Sequence, residues 1–410
     1  MAAPRSGSTI HYGWYVVVAG NLCVLACLGI GRFSLGMLLP SMGKALSLSY
    51  GQMGLISTLN FAGYLAAILV CGRLNSRFGS RRLITAALLV IGLSMLAISR
   101  AESLGVVIVL YIITGMGSAL ANIPIMATIT AWFTKARRGR AAGLVAVGSG
   151  FAIILSGQLV PWLNLNYVEG WRLSWQVLGG LVLLIGLICF LILRDHPREL
   201  GLDPVGGGSE SLAVPEREHP RLSLRSPRVL HCGALYFLFG FTYVIYATFI
   251  VTTLVQERGI AESTAGQFWS WVGFLSLFSG PVFGSFSDRF GRRAGLILVF
   301  CIQTIAYLLA GFDLPQVFLY LSIFCFGIVA WSVPTIMSAL IGDYAPPAQV
   351  AAIFGFVTFV FGLGQISGPF LAGVLAERSG SFSSSFLMAA VMAAGAVLLA
   401  WRLPAEPSRD

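Results

Sequence analysis

The sequence predicts an all-α membrane protein: twelve transmembrane helices in two pseudo-symmetric six-helix bundles. Three observations carry this. The first is hydropathy. The 410 residues are 57% hydrophobic and only 10% charged, which excludes a water-soluble globule. Twelve long apolar stretches run along the chain, each near or above the roughly 20 residues a helix needs to cross about 30 Å of hydrocarbon. Lipid satisfies no backbone polar group, so each stretch should be helical. The second is charge. The net charge is +10, but the basic residues flank the stretches instead of forming a nucleic-acid-binding domain. Of 26 Lys/Arg, Lys44, Arg100, Arg172, Arg258 and Arg378 fall on one side and Arg32 lies within a span, leaving twenty on the other. That bias places both termini and the long central loop in the cytoplasm. The third is an internal repeat about the only long polar stretch, Arg194–Arg228, whose prolines and Gly206–Gly208 read as a linker. At an offset near 210 residues, Gly117 and Pro124 match Gly327 and Pro334. The expected domains are residues 1–193, a linker over 194–228, and residues 229–410.

In chain order, the first span, Gly13–Leu39, is the only one with a charge deep inside, Arg32. It follows a short polar lead and is too long for the apolar core of a cleavable signal, so it should persist as a helix. The second, Gln52–Cys71, carries Asn60 and Tyr64. A basic loop, Gly72-x4-Arg77-x-Gly79-x-Arg81-Arg82, leads to the third, Leu83–Ser99. The fourth, Leu104–Ala131, sets Asn122 beside Pro124, which frees a carbonyl. The fifth, Gly139–Leu163, contains Gln158, and the sixth is Leu173–Leu193. Beyond the linker, Val229–Val255 places Tyr236, Tyr243 and Tyr246 close to one face, Tyr236 near the cytoplasmic interface. The eighth, Thr264–Phe286, holds Gln267 but no acidic/basic pair. A second basic loop echoes the first before the ninth, Ala294–Gly311. The tenth, Pro315–Ile341, has Trp331 and Thr335 four apart. The eleventh, Val350–Leu375, contains Gln365 among glycines, where Gln365 and Gln158 read as interhelical hydrogen-bond donors. The twelfth is Phe382–Leu403. The seven cysteines lie within spans or at their ends, with no Cys/His spacing for a disulfide framework or a metal, and no cofactor motif is present.

The second basic loop reads Gly284-x3-Asp288-Arg289-x-Gly291-Arg292-Arg293, and the eleventh span reads Gly355-x8-Gly364-x3-Gly368-Pro369-x3-Gly373. With Arg138-Gly139-Arg140-Ala141 and Gly170-Trp171-Arg172, these resemble the signatures of the major facilitator superfamily over almost the whole chain. The opening His11-Tyr12-Gly13-Trp14-Tyr15-Val16-Val17 is similar to bacterial relatives of monocarboxylate transporters and oxalate–formate antiporters. Gly29-Ile30-Gly31-Arg32-Phe33 and Gly362-Leu363-Gly364-Gln365 resemble a poorly characterised branch of bacterial permeases. The resemblance implies two halves rocking about a central site lined by helices 1, 4, 7 and 10. It also implies that the loop carboxylate faces a helix amino terminus of the other half, holding the cytoplasmic side closed. Asp288, with Arg289, Arg292 and Arg293, fits that latch. The first half has Arg77 but Ser76 where a carboxylate is expected, so the latch should be asymmetric. Alternatively Arg77, Arg81 and Arg82 serve only as topology determinants.

A cation within hydrocarbon costs at least about 2.5–3.5 kcal/mol on insertion scales and normally faces a cavity. Side chains lean toward their own helix amino end, so Arg32 should tilt toward the midplane instead of snorkelling outward. Asn21, Leu25, Leu28 and Gly36 share its face by i±4 and i±11 spacing. No span interior holds Asp or Glu to neutralise a guanidinium whose planar fork suits a carboxylate. The expected function is alternating-access transport of a small organic anion, a monocarboxylate or related organic acid. Arg32, Asn21, Asn122, Tyr243, Tyr246, Trp331 and Thr335 are the expected contacts. Facilitated diffusion, anion exchange and proton symport through the cargo's own carboxylate all stay open. Efflux of hydrophobic or cationic compounds, or a transporter-fold sensor, are the alternatives. No nucleophile, base and metal set suggests an enzyme. A multi-pass monomer of the plasma membrane, in contact with lipid and not nucleic acid, is expected.

Overall fold

The computed structural model describes residues 10–206, 223–346 and 349–403. Gly207, Gly208, Pro215 and Pro220 of the polar stretch lie outside them. Twelve long helices are present among the described residues: α1 (Gly13–Ala45), α2 (Tyr50–Phe78), α3 (Ser80–Ile98), α4 (Leu104–Trp132), α5 (Ala136–Asn166), α6 (Gly170–Ile192), α7 (Pro227–Glu257), α8 (Glu262–Phe290), α9 (Arg292–Gly311), α10 (Gln316–Tyr344), α11 (Val350–Ser379) and α12 (Ser383–Trp401). Eleven are long and apolar enough to cross a membrane; α8, diluted by serine and glycine, is as long but less apolar. Several helices extend a turn or more beyond the apolar stretches, because capping groups continue them into polar sequence. Ser49 and Gln52 form a reciprocal capping box that starts α2.

Packing repeats with a period of six helices. In the first half α4 lies on α2 and α3, α3 on α6, and α1 on α5. In the second, α10 lies on α8 and α9, α9 on α12, and α7 on α11. The halves meet along three seams, α2 with α11, α5 with α8, and α1 with α7. All three are close at the end away from the termini. There the Gly51 amide donates to Glu377 at 2.9 Å, Gln158 to Ser270 at 2.8 Å, and Gln256 to the Pro40 carbonyl at 3.0 Å. At the end that bears the termini and basic loops, Cβ positions at Gly72, Gly139, Gly143 and Gly355 meet nothing within 4 Å among the described residues. Among the described residues, the halves are therefore joined by these bonds at the end away from the termini.

Close approach at the joined end requires missing side chains. A Cβ on Gly157 would lie 2.5 Å from the Gly266 carbonyl and 2.5 Å from the Ser270 hydroxyl. Gly157→Val is expected to prise α5 from α8 and loosen that end. The readout is faster labelling of an Asn164→Cys reporter by a membrane-impermeant maleimide; an unchanged rate would show that the seam does not depend on this contact.

Two irregularities position the centre. Leu25–Phe33 of α1 is π-helical, a wider turn that often marks functional sites. Gly29 and Gly31 within it let α1 approach Ala152 of α5 and Ser118 of α4. In α10 the helix breaks at Ala330–Trp331, because Pro334 lacks an N–H and its ring collides with the carbonyl four residues back. The corresponding Pro124 leaves α4 continuous.

Candidate functional site

Arg32 leaves the π-helical turn of α1 and is only 8% exposed. Its guanidinium carbon lies 4.2 Å from the Phe61 ring centroid and 4.1 Å from that of Tyr64. Nε donates to Asn60 Oδ1 at 3.4 Å. Asn60 donates in turn to the Tyr111 carbonyl at 2.9 Å, and the Tyr111 hydroxyl donates to the Arg32 carbonyl at 3.1 Å. Phe61 and Tyr64 sit near the middle of α2, so the cation reaches toward the centre of the bundle and not toward headgroups. Its Nη2 is buried without a hydrogen-bond partner among the described residues. A cavity of about 10 Å3, room for one water, adjoins it between Ser57, Asn60, Gly36, Ala247 and Thr248. Ser57 and Thr248 close its wall by a hydroxyl–hydroxyl contact of 3.2 Å between α2 and α7.

Three of the other expected contacts border this region. Asn122 donates to the Tyr64 hydroxyl at 3.1 Å, and its Oδ1 is buried and unpaired. Trp331, at the α10 break, lies 5.1 Å from Phe33 and edge-on to Tyr243 at 5.8 Å, with Nε1 unpaired. Tyr243 accepts from Gln365 of α11 and stacks on Phe239 at 4.8 Å.

Three do not join it. Asn21 donates to the Leu144 carbonyl of α5 at 2.8 Å; the π-helical turn between it and Arg32 breaks the i±11 phase that an unbroken α-helix would keep. Tyr246 is fully buried within the second half, bonded to Ser322 at 2.8 Å and stacked on Phe326 at 4.1 Å. Thr335 turns toward Gly280 and Gly284 of α8 and donates back to the Trp331 carbonyl one helical turn earlier. Tyr236 is likewise no interfacial residue: it is 3% exposed and stacks on Phe361 at 4.4 Å. Sequence reasoning gave Asn60 and Tyr64 little weight and missed Ser57, Phe61 and Tyr111. The spacing of Ser57, Asn60, Phe61 and Tyr64 along one helical face was the available signal.

On the basic end, Asp288 pairs with Arg292, which also holds Asp343 at 2.8 Å. Both partners belong to the second half. Arg77 and Arg289 take equivalent places over Phe78 and Phe290, at 5.4 Å and 5.5 Å, and Arg293 lies over Trp401. The first half supplies a carboxylate from elsewhere: Asp195, just past α6, accepts from the Arg81 amide at 2.6 Å at the start of α3. Ser76 only bonds back to the Arg73 carbonyl.

A family model described as uncharacterised MFS-type transporter YbfB matches residues 24–401. The chain belongs to that family. The hexuronate transporter of Bacillus subtilis (strain 168) is 25% identical over 90% of this chain and 89% of its own length. Monocarboxylate transporter 4 of Rattus norvegicus is 25% identical over 86% of this chain and 75% of that protein. The crystal structure of a bacterial homologue of the human lysosomal transporter Spinster, inward-facing and unoccupied, superposes with TM-score 0.71 at 16% identity, covering 96% of this chain and 95% of that one. This MFS-type transporter is thus an integral, multi-pass membrane protein of the major facilitator fold, and its family is one of carriers and not of enzymes.

Proposed function

We propose that this transporter carries a small organic anion by alternating access and that Arg32 holds the cargo's carboxylate. One observation carries the reading: a buried guanidinium with an unpaired Nη2 and no ion pair among the described residues. Phe61 and Tyr64 offset part of its desolvation, by about 0.5–2 kcal/mol each, but leave its in-plane edge available to an oxyanion. The relatives' named cargoes, hexuronate and monocarboxylates, are anions of the same kind.

In this reading residues 1–193 and 229–410 are the two moving halves, joined by 194–228, and the basic end is cytoplasmic in a cell inner membrane. The chain then faces inward, with its outer end closed. Asn122, Tyr243 and Trp331 border the cargo, while Asn21, Tyr246 and Thr335 serve packing. Asp288 of the second half engages the first only when the cytoplasmic end closes.

The test is thermal stabilisation of the purified protein by a panel of carboxylates, neutral sugars and cationic drugs. Stabilisation by carboxylates alone, absent in Arg32→Ala, is the expected result. Stabilisation by cationic drugs instead would favour efflux of such compounds and remove the anion reading.

A further inference from the structure

Among the buried polar atoms without partners in the described residues, three belong to residues around the Arg32 side chain: Nη2 of Arg32, Oδ1 of Asn122 and Nε1 of Trp331. The first two flank one phenol. The guanidinium lies over the Tyr64 ring, and the Asn122 amide donates to the same residue's hydroxyl. Trp331 of the second half packs against Phe33, the neighbour of Arg32 in sequence, and edge-on to Tyr243. A buried polar atom left unpaired keeps its full desolvation penalty. A cargo that pairs all three therefore gains over one that pairs fewer.

The three atoms are not interchangeable. Arg32 and Trp331 can only donate, whereas Asn122 Oδ1 can only accept. An alkyl carboxylate offers oxygen acceptors to the two donors and nothing to Asn122. An ammonium group could donate to Asn122, but it would bring a second cation beside Arg32. A hydroxyl donates without charge and still presents an oxygen to the indole N–H. We infer that the site selects a hydroxylated carboxylate over a plain one, an assignment that rests on the anion reading above.

The experiment uses chain-length pairs, propionate with glycerate and hexanoate with gluconate, titrated calorimetrically into the full-length protein in nanodiscs. Each hydroxylated acid is expected to bind about tenfold tighter than its plain partner, the weight of one buried acceptor satisfied. In Asn122→Leu that ratio should fall toward one, and Asn122→Ala serves if the leucine variant misfolds. Equal binding within both pairs, or a ratio unmoved in a folded Asn122 variant, overturns the selection for hydroxyls and leaves the anion reading standing. If none of the four acids binds, or Arg32→Gln binds them like the parent, both fall together.

Discussion

Arg32→Ala should abolish saturable organic-anion uptake while the protein still inserts and elutes as a monodisperse species. The effect is large because the anion's charge has no second cation at this point. Truncating one partner of a buried, hydrogen-bonded charge pair costs about 2–5 kcal/mol, or roughly 30- to 5,000-fold in affinity. The fold should survive for a related reason. Among the described residues Arg32 has no ion-paired carboxylate that its loss would strand, and Asn60 keeps its bond to the Tyr111 carbonyl. Removing a guanidinium with an unpaired Nη2 also removes a desolvation penalty. Arg32→Lys separates charge from shape: an ammonium keeps the cation but loses the flat stacking on Phe61 and Tyr64 and the fork that meets a carboxylate. It should recover only a small part of the uptake. Uptake of a stabilising carboxylate into proteoliposomes at matched protein density decides the matter, and parental rates in Arg32→Ala would remove the cation from the mechanism.

The twelve spans were legible because hydropathy in a bilayer is a long, redundant signal: each helix repeats the same message over about 20 residues. The six-helix repeat was legible for the same reason, since Gly117/Gly327 and Pro124/Pro334 fix its register. What could not be read was anything depending on phase or on distant pairing. Asn21 and Arg32 share a face only if α1 is uniformly α-helical, and the π-helical turn at Leu25–Phe33 moves them apart. Tyr243 and Tyr246, three residues apart, point into different clusters because α7 is buried almost all round and both faces are apolar. Thr335 bonds back to the Trp331 carbonyl one helical turn earlier and faces α8. The missing first-half carboxylate was found in Asp195, more than a hundred residues from the loop it caps. The lone cation stood out in the sequence because nothing else in the spans resembles it; its cradle did not, because Ser57, Asn60 and Phe61 are ordinary helix-packing residues until their partner is known.

Cross-linking Ser57→Cys to Thr248→Cys should arrest transport completely and reversibly. The two hydroxyls are 3.2 Å apart, joining α2 to α7 beside the Arg32 cavity. Cysteine sulfurs at these positions need only a small shift to reach the 2.05 Å of a disulfide. Cargo from the outer side can reach Arg32 only if this wall parts, because Gly36 is packed against the Ala247 carbonyl and Gly54 against that of Pro369 along the same closed end. A covalent tie here leaves the basic end free. The oxidised protein should therefore still be stabilised by the anion while carrying none across the membrane. A reductant should restore the rate, and each single variant should transport. Five of the seven native cysteines are buried, so a peptide map can assign the new link to positions 57 and 248. A fully oxidised double variant that transports at the parental rate would mean that this end never opens, and the rocking mechanism would have to be abandoned in favour of a path that avoids the α2–α7 wall.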